Sequence, residues 1–323
     1  MDIPIFENMH GAGIISERSM QKIKARQLQP ISVQRELTIL VYAGVLLLTG
    51  GLGIVVYKNI DSIGHQIILF AIAGISAVSF GYCLKTKNPF SHQKVSSPNF
   101  WFDYVLLMGC LTVITFIGYL QYQYNVFGDR YGLVTFIPML LLFFCAYFFD
   151  HKGILSMAIV NLAAWAGIAI TPTRILKEND FNSASIISTG LLLSILLILA
   201  GVLTKKRNIK GHFEFTYSNF GMHLLFISCL AAMFTFGQWY VLWFMLLAGI
   251  GFYFYKKALA ENSFYYLLFL SLYCYIGISN VVVRLLTTFS STVSVYLVLL
   301  YFIASALLLV FFLISMNKKI KAL

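Results

Sequence analysis

Four polar side chains stand inside long apolar runs: Asn161, His223, Asn280 and Arg284. A charged residue at the centre of a bilayer helix costs about 2.5–3.5 kcal/mol on insertion scales, so intramembrane polar groups are rare and draw a functional reading. Asn280 and Arg284 are four apart and share one helix face. That pair suits an anionic group held in a cavity open to the outer side, with Asp61 or Asp129 as the resting counter-ion. The plainer reading of Arg284, which lies near the end of its run, is a side chain that snorkels to water. His223, with Asn219 one turn earlier, has a reference pKa near neutrality and fits proton coupling. Asn161 and His223 fit interhelical hydrogen bonds equally, the commoner use of such residues. The candidate binding set is therefore Asp61, Asn161, His223, Asn280 and Arg284.

Other chemistry finds little support. His10, His65, His92, His151 and His212 are scattered, with no H-x-x-x-H or H-E-x-x-H spacing, so no metal site is expected. Asp150-His-Lys152 reads as a solvated turn. The five cysteines, Cys83, Cys110, Cys145, Cys229 and Cys274, all fall in apolar runs without C-x-x-C spacing and read as small buried residues. The outer-side acids Asp61, Asp129, Glu178 and Asp180 could do acid/base work in pairs, though nothing in their spacing demands it. No nucleophile elbow, phosphate loop or dinucleotide loop is present, so neither a cofactor nor a catalytic residue is assigned and an enzyme is not the expected reading.

The elements that carry these residues are plain. Of the 323 residues, 59% are hydrophobic and 11% charged, against about 25% charged in a soluble domain. The mean hydropathy is +0.83. Continuous apolar runs of bilayer length predict α-helices, whereas barrel strands would alternate apolar and polar residues. Ten spans are expected near 37–57, 66–84, 102–122, 132–149, 153–171, 185–204, 217–236, 239–255, 264–286 and 292–316. The fold class is thus all-α, a polytopic transmembrane helix bundle. It has a cytosolic helical segment over 1–35, a membrane domain over 36–317 and a basic tail over 318–323. In the first segment Ser16 is the expected N-cap of a helix that Pro30 ends. No apolar signal region precedes residue 37, so the first span serves as an uncleaved insertion signal.

The net charge of +11 does not mark a nucleic-acid binder, because the basic residues sit in short clusters between apolar runs. Assigning connections alternately to two sides places 18 of the 23 Lys and Arg residues on one side. By the positive-inside rule that side is the cytoplasm, and both termini lie there. Aromatic residues mark span boundaries, among them Trp101, Tyr124, Trp239 and Tyr240. Small residues, Gly44 and Gly50 to Gly53 in the first span, Ala163 and Gly167 in the fifth, are expected at close helix contacts.

Gly44-Val-Leu-Leu-Leu-Thr-Gly-Gly-Leu-Gly53 followed by Asn59-Ile-Asp-Ser-Ile-Gly64, with the helix start Gly13-Ile-Ile-Ser-Glu17 before them, resembles a bacterial multi-pass membrane family known only as domain of unknown function 2157. The resemblance covers residues 13–84. It implies architecture, a short cytosolic segment before a Gly-rich first span, and carries no activity. Ten spans with both ends inside also look like the drug/metabolite transporter superfamily.

The reading is an integral protein of the bacterial inner membrane, a transporter or a protein that binds a small molecule or lipid in a cavity between helices. Its partners are the bilayer, such a ligand, and another membrane protein through residues 1–35; nucleic acid is excluded. Two alternatives stay open: a non-catalytic partner subunit or scaffold, and an enzyme acting on a lipid-linked substrate at the outer face.

Overall fold

The structure, a computed structural model, describes residues 9–12, 14–17, 19–20, 34–58, 64–170, 184–288 and 292–322. It divides into two compact units, Met1–Ile60 and Asp61–Leu323. The first unit holds α1 (Gln34–Lys58). Ahead of it, the Ser16 hydroxyl accepts the Ser19 backbone N–H at 3.3 Å, the capping role expected of it. The rest of the expected helix up to Pro30 lies outside the described residues.

The second unit contains α2 (His65–Thr86), α3 (Phe102–Tyr124), α4 (Tyr131–Phe149), α5 (Lys152–Ile170) and α6 (Ala184–Arg207). It continues with α7 (Glu214–Thr235), α8 (Tyr240–Ala260), α9 (Phe264–Thr287) and α10 (Thr292–Ala322). Each begins and ends within a few residues of its expected span, and α8 and α10 run further toward their C-termini. No strand occurs among the described residues. Nine of the described helices are long and apolar enough to cross a bilayer; α5 is apolar over the shorter stretch Lys152–Gly167. Helices are forced here because hydrocarbon offers backbone N–H and C=O groups no partner outside the segment.

Consecutive helices of the second unit pack as antiparallel neighbours, and α7 lies at the centre. Its Tyr217 joins a core built from α2 to α6, around Leu106, Leu142, Leu155 and Leu197. Its Met222, Phe226, Cys229 and Leu230 join a second core with α8, α9 and the end of α10. The five cysteines are free, four of them buried within these cores. The α6–α7 seam is the tightest contact: a Cβ at Gly190 would meet Ser228 Oγ, and one at Gly201 would lie 3.1 Å from Ser218 Oγ. The close approach thus falls at Gly190, Gly201 and Gly221. Ala163 and Gly167, expected to make such a contact, line an open cleft, and Ala163 also packs against the first core.

Two ends can be distinguished in the second unit. One, the basic end, carries the connections 87–101, 150–151, 208–213 and 261–263. The other carries 125–130 and the turn Gly237–Trp239.

Candidate functional site

Arg284 stands in the last turn of α9, at the end opposite the basic end. Its Nε donates to Asn280 Oδ1 at 3.0 Å and its Nη1 to the Gly237 carbonyl at 3.3 Å. Its guanidinium carbon lies 5.0 Å from the Tyr240 ring centroid, within range of a cation–π contact. The four-residue spacing therefore does bring Asn280 and Arg284 together. Among the described residues no carboxylate forms an ion pair with this arginine. Asp61, Glu178 and Asp180 lie outside the described residues, so the expected Asp61 counter-ion and the convergence of outer acids are not described. Asp129 sits in the exposed turn between α3 and α4.

His223 is held between α7 and α9. Its Nδ1 is 2.9 Å from Tyr273 Oη and its Nε2 is 3.0 Å from Tyr265 Oη. Phe269 closes on it edge-to-face at 4.7 Å between centroids. Both ring nitrogens are engaged with phenols, an arrangement that knits two helices together. Asn161 donates to the Met157 carbonyl one turn earlier at 3.1 Å. Each of these residues thus bonds within its own helix or to one neighbour.

The spaces between helices lie elsewhere. A cleft of about 370 Å³ opens between α5, α6 and α7, lined among others by Ala163, Ala166, Gly167, Gly190 and Ser228. A second, of about 490 Å³, lies between α4, α5, α6 and Tyr217 of α7, with Phe143, Trp165 and Leu196 in its walls. Ala166, Thr189 and Leu193 line both. The walls are almost wholly hydrocarbon, and the Thr189 hydroxyl is taken by the Ser185 carbonyl at 2.7 Å.

The basic end holds a network that the sequence reading dismissed. Asp150-His-Lys152 is solvated only at Lys152: the Asp150 side chain is 2% exposed, His151 is buried, and Lys210, which pairs with Asp150, is 1% exposed. Asp150 Oδ2 takes Lys210 Nζ at 3.0 Å and the Val95 backbone N–H at 2.5 Å. Its Oδ1 takes His212 Nε2 at 2.5 Å. Lys210 also donates to the Gln93 carbonyl at 3.3 Å and sits 5.2 Å from the Phe90 ring centroid. Three connections, 87–99, 150–151 and 208–213, are thereby tied to one carboxylate. Asp150 and Lys210 both adopt left-handed backbone, φ 59° and 52°, a conformation that costs a non-glycine residue energy and persists only where surroundings enforce it. A second ion pair lies nearby: Lys257 Nζ donates to Glu214 Oε1 at 2.6 Å and to Ser218 Oγ at 2.9 Å. The sequence signal for both was scarcity. An acid on a side crowded with Lys and Arg, set at a helix terminus, is a candidate buried partner.

His151 caps α5. Its Nδ1 accepts the Ile154 backbone N–H at 3.1 Å, while Nε2 faces Asp103 Oδ1 at 3.9 Å. An accepting Nδ1 requires the neutral ring with its proton on Nε2. Burial pushes the His151 pKa below its ordinary 6.5, against the opposing pull of Asp103 and Asp150. The unfolded chain therefore binds this proton at higher pH than the folded one. Stability is full above about pH 6.5 and falls as the pH drops below it. Thermal unfolding in detergent between pH 8 and 5 is expected to show that loss. His151→Asn keeps a capping acceptor and removes the titration, so its curve should be flatter; equal slopes would refute the assignment.

Residues 7–155 match the family described as predicted membrane protein, domain of unknown function 2157. The match carries the resemblance from the first hairpin through α4, across the Asp150 turn and into α5. No curated protein matches the chain, and no solved structure does.

Proposed function

We propose that this integral membrane protein binds a hydrocarbon or amphipathic molecule between its helices, as a lipid-binding protein or a transporter. The observation that carries the reading is the pair of adjoining clefts, about 370 and 490 Å³, that share Ala166, Thr189 and Leu193. Ligand sites commonly fall in the range of about 300–1,000 Å³ and are lined mainly by apolar side chains. Walls that are mostly hydrocarbon favour an acyl or similar chain over a polar solute. The skew of Lys and Arg supports a place in a bacterial inner membrane, with the basic end and both termini in the cytoplasm.

Ala166 is the point to test, because it borders both clefts. Ala166→Phe fills them from one wall. The expected result is about tenfold weaker retention of a co-purifying lipid, read by native mass spectrometry of the detergent-released protein, with the helical circular dichroism unchanged. Retention equal to that of the parent protein would sink the reading.

A further inference from the structure

We propose that Arg284 anchors a binding site for the phosphate of a lipid headgroup at the end opposite the basic end. This site is separate from the clefts and does not rest on them.

The guanidinium is built in. Asn280 Oδ1 takes Nε, the Gly237 carbonyl takes one N–H of Nη1, and the Tyr240 ring lies 5.0 Å from Cζ. An arginine carries five N–H donors, so three remain beyond those two bonds, one on Nη1 and two on Nη2. They form the fork that matches a phosphate or carboxylate with two parallel hydrogen bonds. Gly237 keeps the approach close: a Cβ there would lie 3.2 Å from Nη1 and 3.6 Å from Nη2. The C-terminal end of α9 and the Gly237 carbonyl offset part of the positive charge, and no carboxylate among the described residues completes the neutralisation. Charge complementarity then calls for an anion.

The position selects the anion. Arg284 is in the last turn of a membrane-length helix. Beside it Trp239 is exposed and Tyr240 half-buried, the amphipathic rings expected at headgroup level. The anion met at that level is the phosphodiester of a lipid, and a guanidinium fixed in orientation binds it without first paying for side-chain ordering.

The experiment is native mass spectrometry of the intact protein titrated with phosphatidylglycerol, with diacylglycerol as the uncharged probe and inorganic phosphate as competitor. Arg284→Gln should weaken phosphatidylglycerol binding about tenfold and leave diacylglycerol binding unchanged. Asn280→Ala, which frees the guanidinium but keeps its charge, should weaken it a few-fold, and Arg284→Lys should fall between the two. Inorganic phosphate at millimolar concentration should not displace the lipid. Displacement would reassign the site to a free anion and overturn the lipid headgroup. Unchanged affinity in Arg284→Gln would overturn the site altogether. So would a thermal-stability loss in Arg284→Gln that Asp61→Asn, Glu178→Gln or Asp180→Asn reproduces and that is not additive in the double variant, since that marks an internal ion pair. Ala166→Phe should leave phosphatidylglycerol affinity intact, which separates failure here from failure of the cleft.

Discussion

Asp150→Ala is expected to lower the unfolding free energy by about 3–5 kcal/mol, the usual cost of removing one member of a buried ion pair. The carboxylate is the acceptor that Lys210, His212 and the Val95 backbone N–H share. Its loss leaves an ammonium that is 1% exposed without its counter-charge, and the left-handed backbone at Lys210 loses what holds it. The double variant Asp150→Leu with Lys210→Met removes both charges together and should recover most of the loss, because paired burial of ions is itself costly. Recovery should stop short of complete, since the Val95 N–H still lacks its acceptor. Denaturant unfolding in detergent at pH 7 measures both. A single variant within about 1 kcal/mol of the parent would mean that the carboxylate does not hold the basic end together.

The second large effect is expected at the α6–α7 seam. A Cβ at Gly221 would lie 2.7 Å from Ile198 Cγ1, 3.1 Å from the Ser194 carbonyl oxygen and 3.2 Å from the Ile198 nitrogen. Ile198 is β-branched and stiff at χ1 in a helix, and the two backbone atoms cannot move aside, so the helices must part. Gly221→Ala should cost about 1–3 kcal/mol, the range for overpacking a close contact, and Gly221→Leu more. Gly118 in α3 and Gly249 in α8 provide the comparison, since a Cβ at either meets no heavy atom within 4 Å. There the change to alanine should be neutral or stabilising by up to about 1 kcal/mol through helix propensity. Equal effects at Gly221 and Gly118 would show that the seam is not closely packed.

Much of the architecture was legible in the residues. Each apolar run of bilayer length became a helix, and the resemblance of the first hairpin to a membrane family, carried by Gly44 to Gly64, was matched over a longer stretch. Asn280 and Arg284 met because helical spacing alone puts them on one face. The partners of His223 were not legible. Tyr265 and Tyr273 lie 42 and 50 residues away in sequence, and nothing local distinguishes them from the many other tyrosines. Which small residues make the close contact was not legible either. Ala163 and Gly167 border a cleft, whereas Gly190, Gly201 and Gly221 make the contact.

The physical reason lies in the solvent. In water, the apolar face of a helix announces which side meets its neighbours. In hydrocarbon the outward face is as apolar as the inward one, and α10 carries large apolar residues such as Leu300, Leu308 and Phe311 toward its surroundings. Length, helicity and the skew of charge between the two ends are local properties, set by backbone hydrogen bonding and the cost of burying charge, and they could be read from the residues alone. Which helices pair, where a cleft is left, and that Asp150 reaches His212 across 62 positions depend on how the helices pack together, and emerged only from the folded chain.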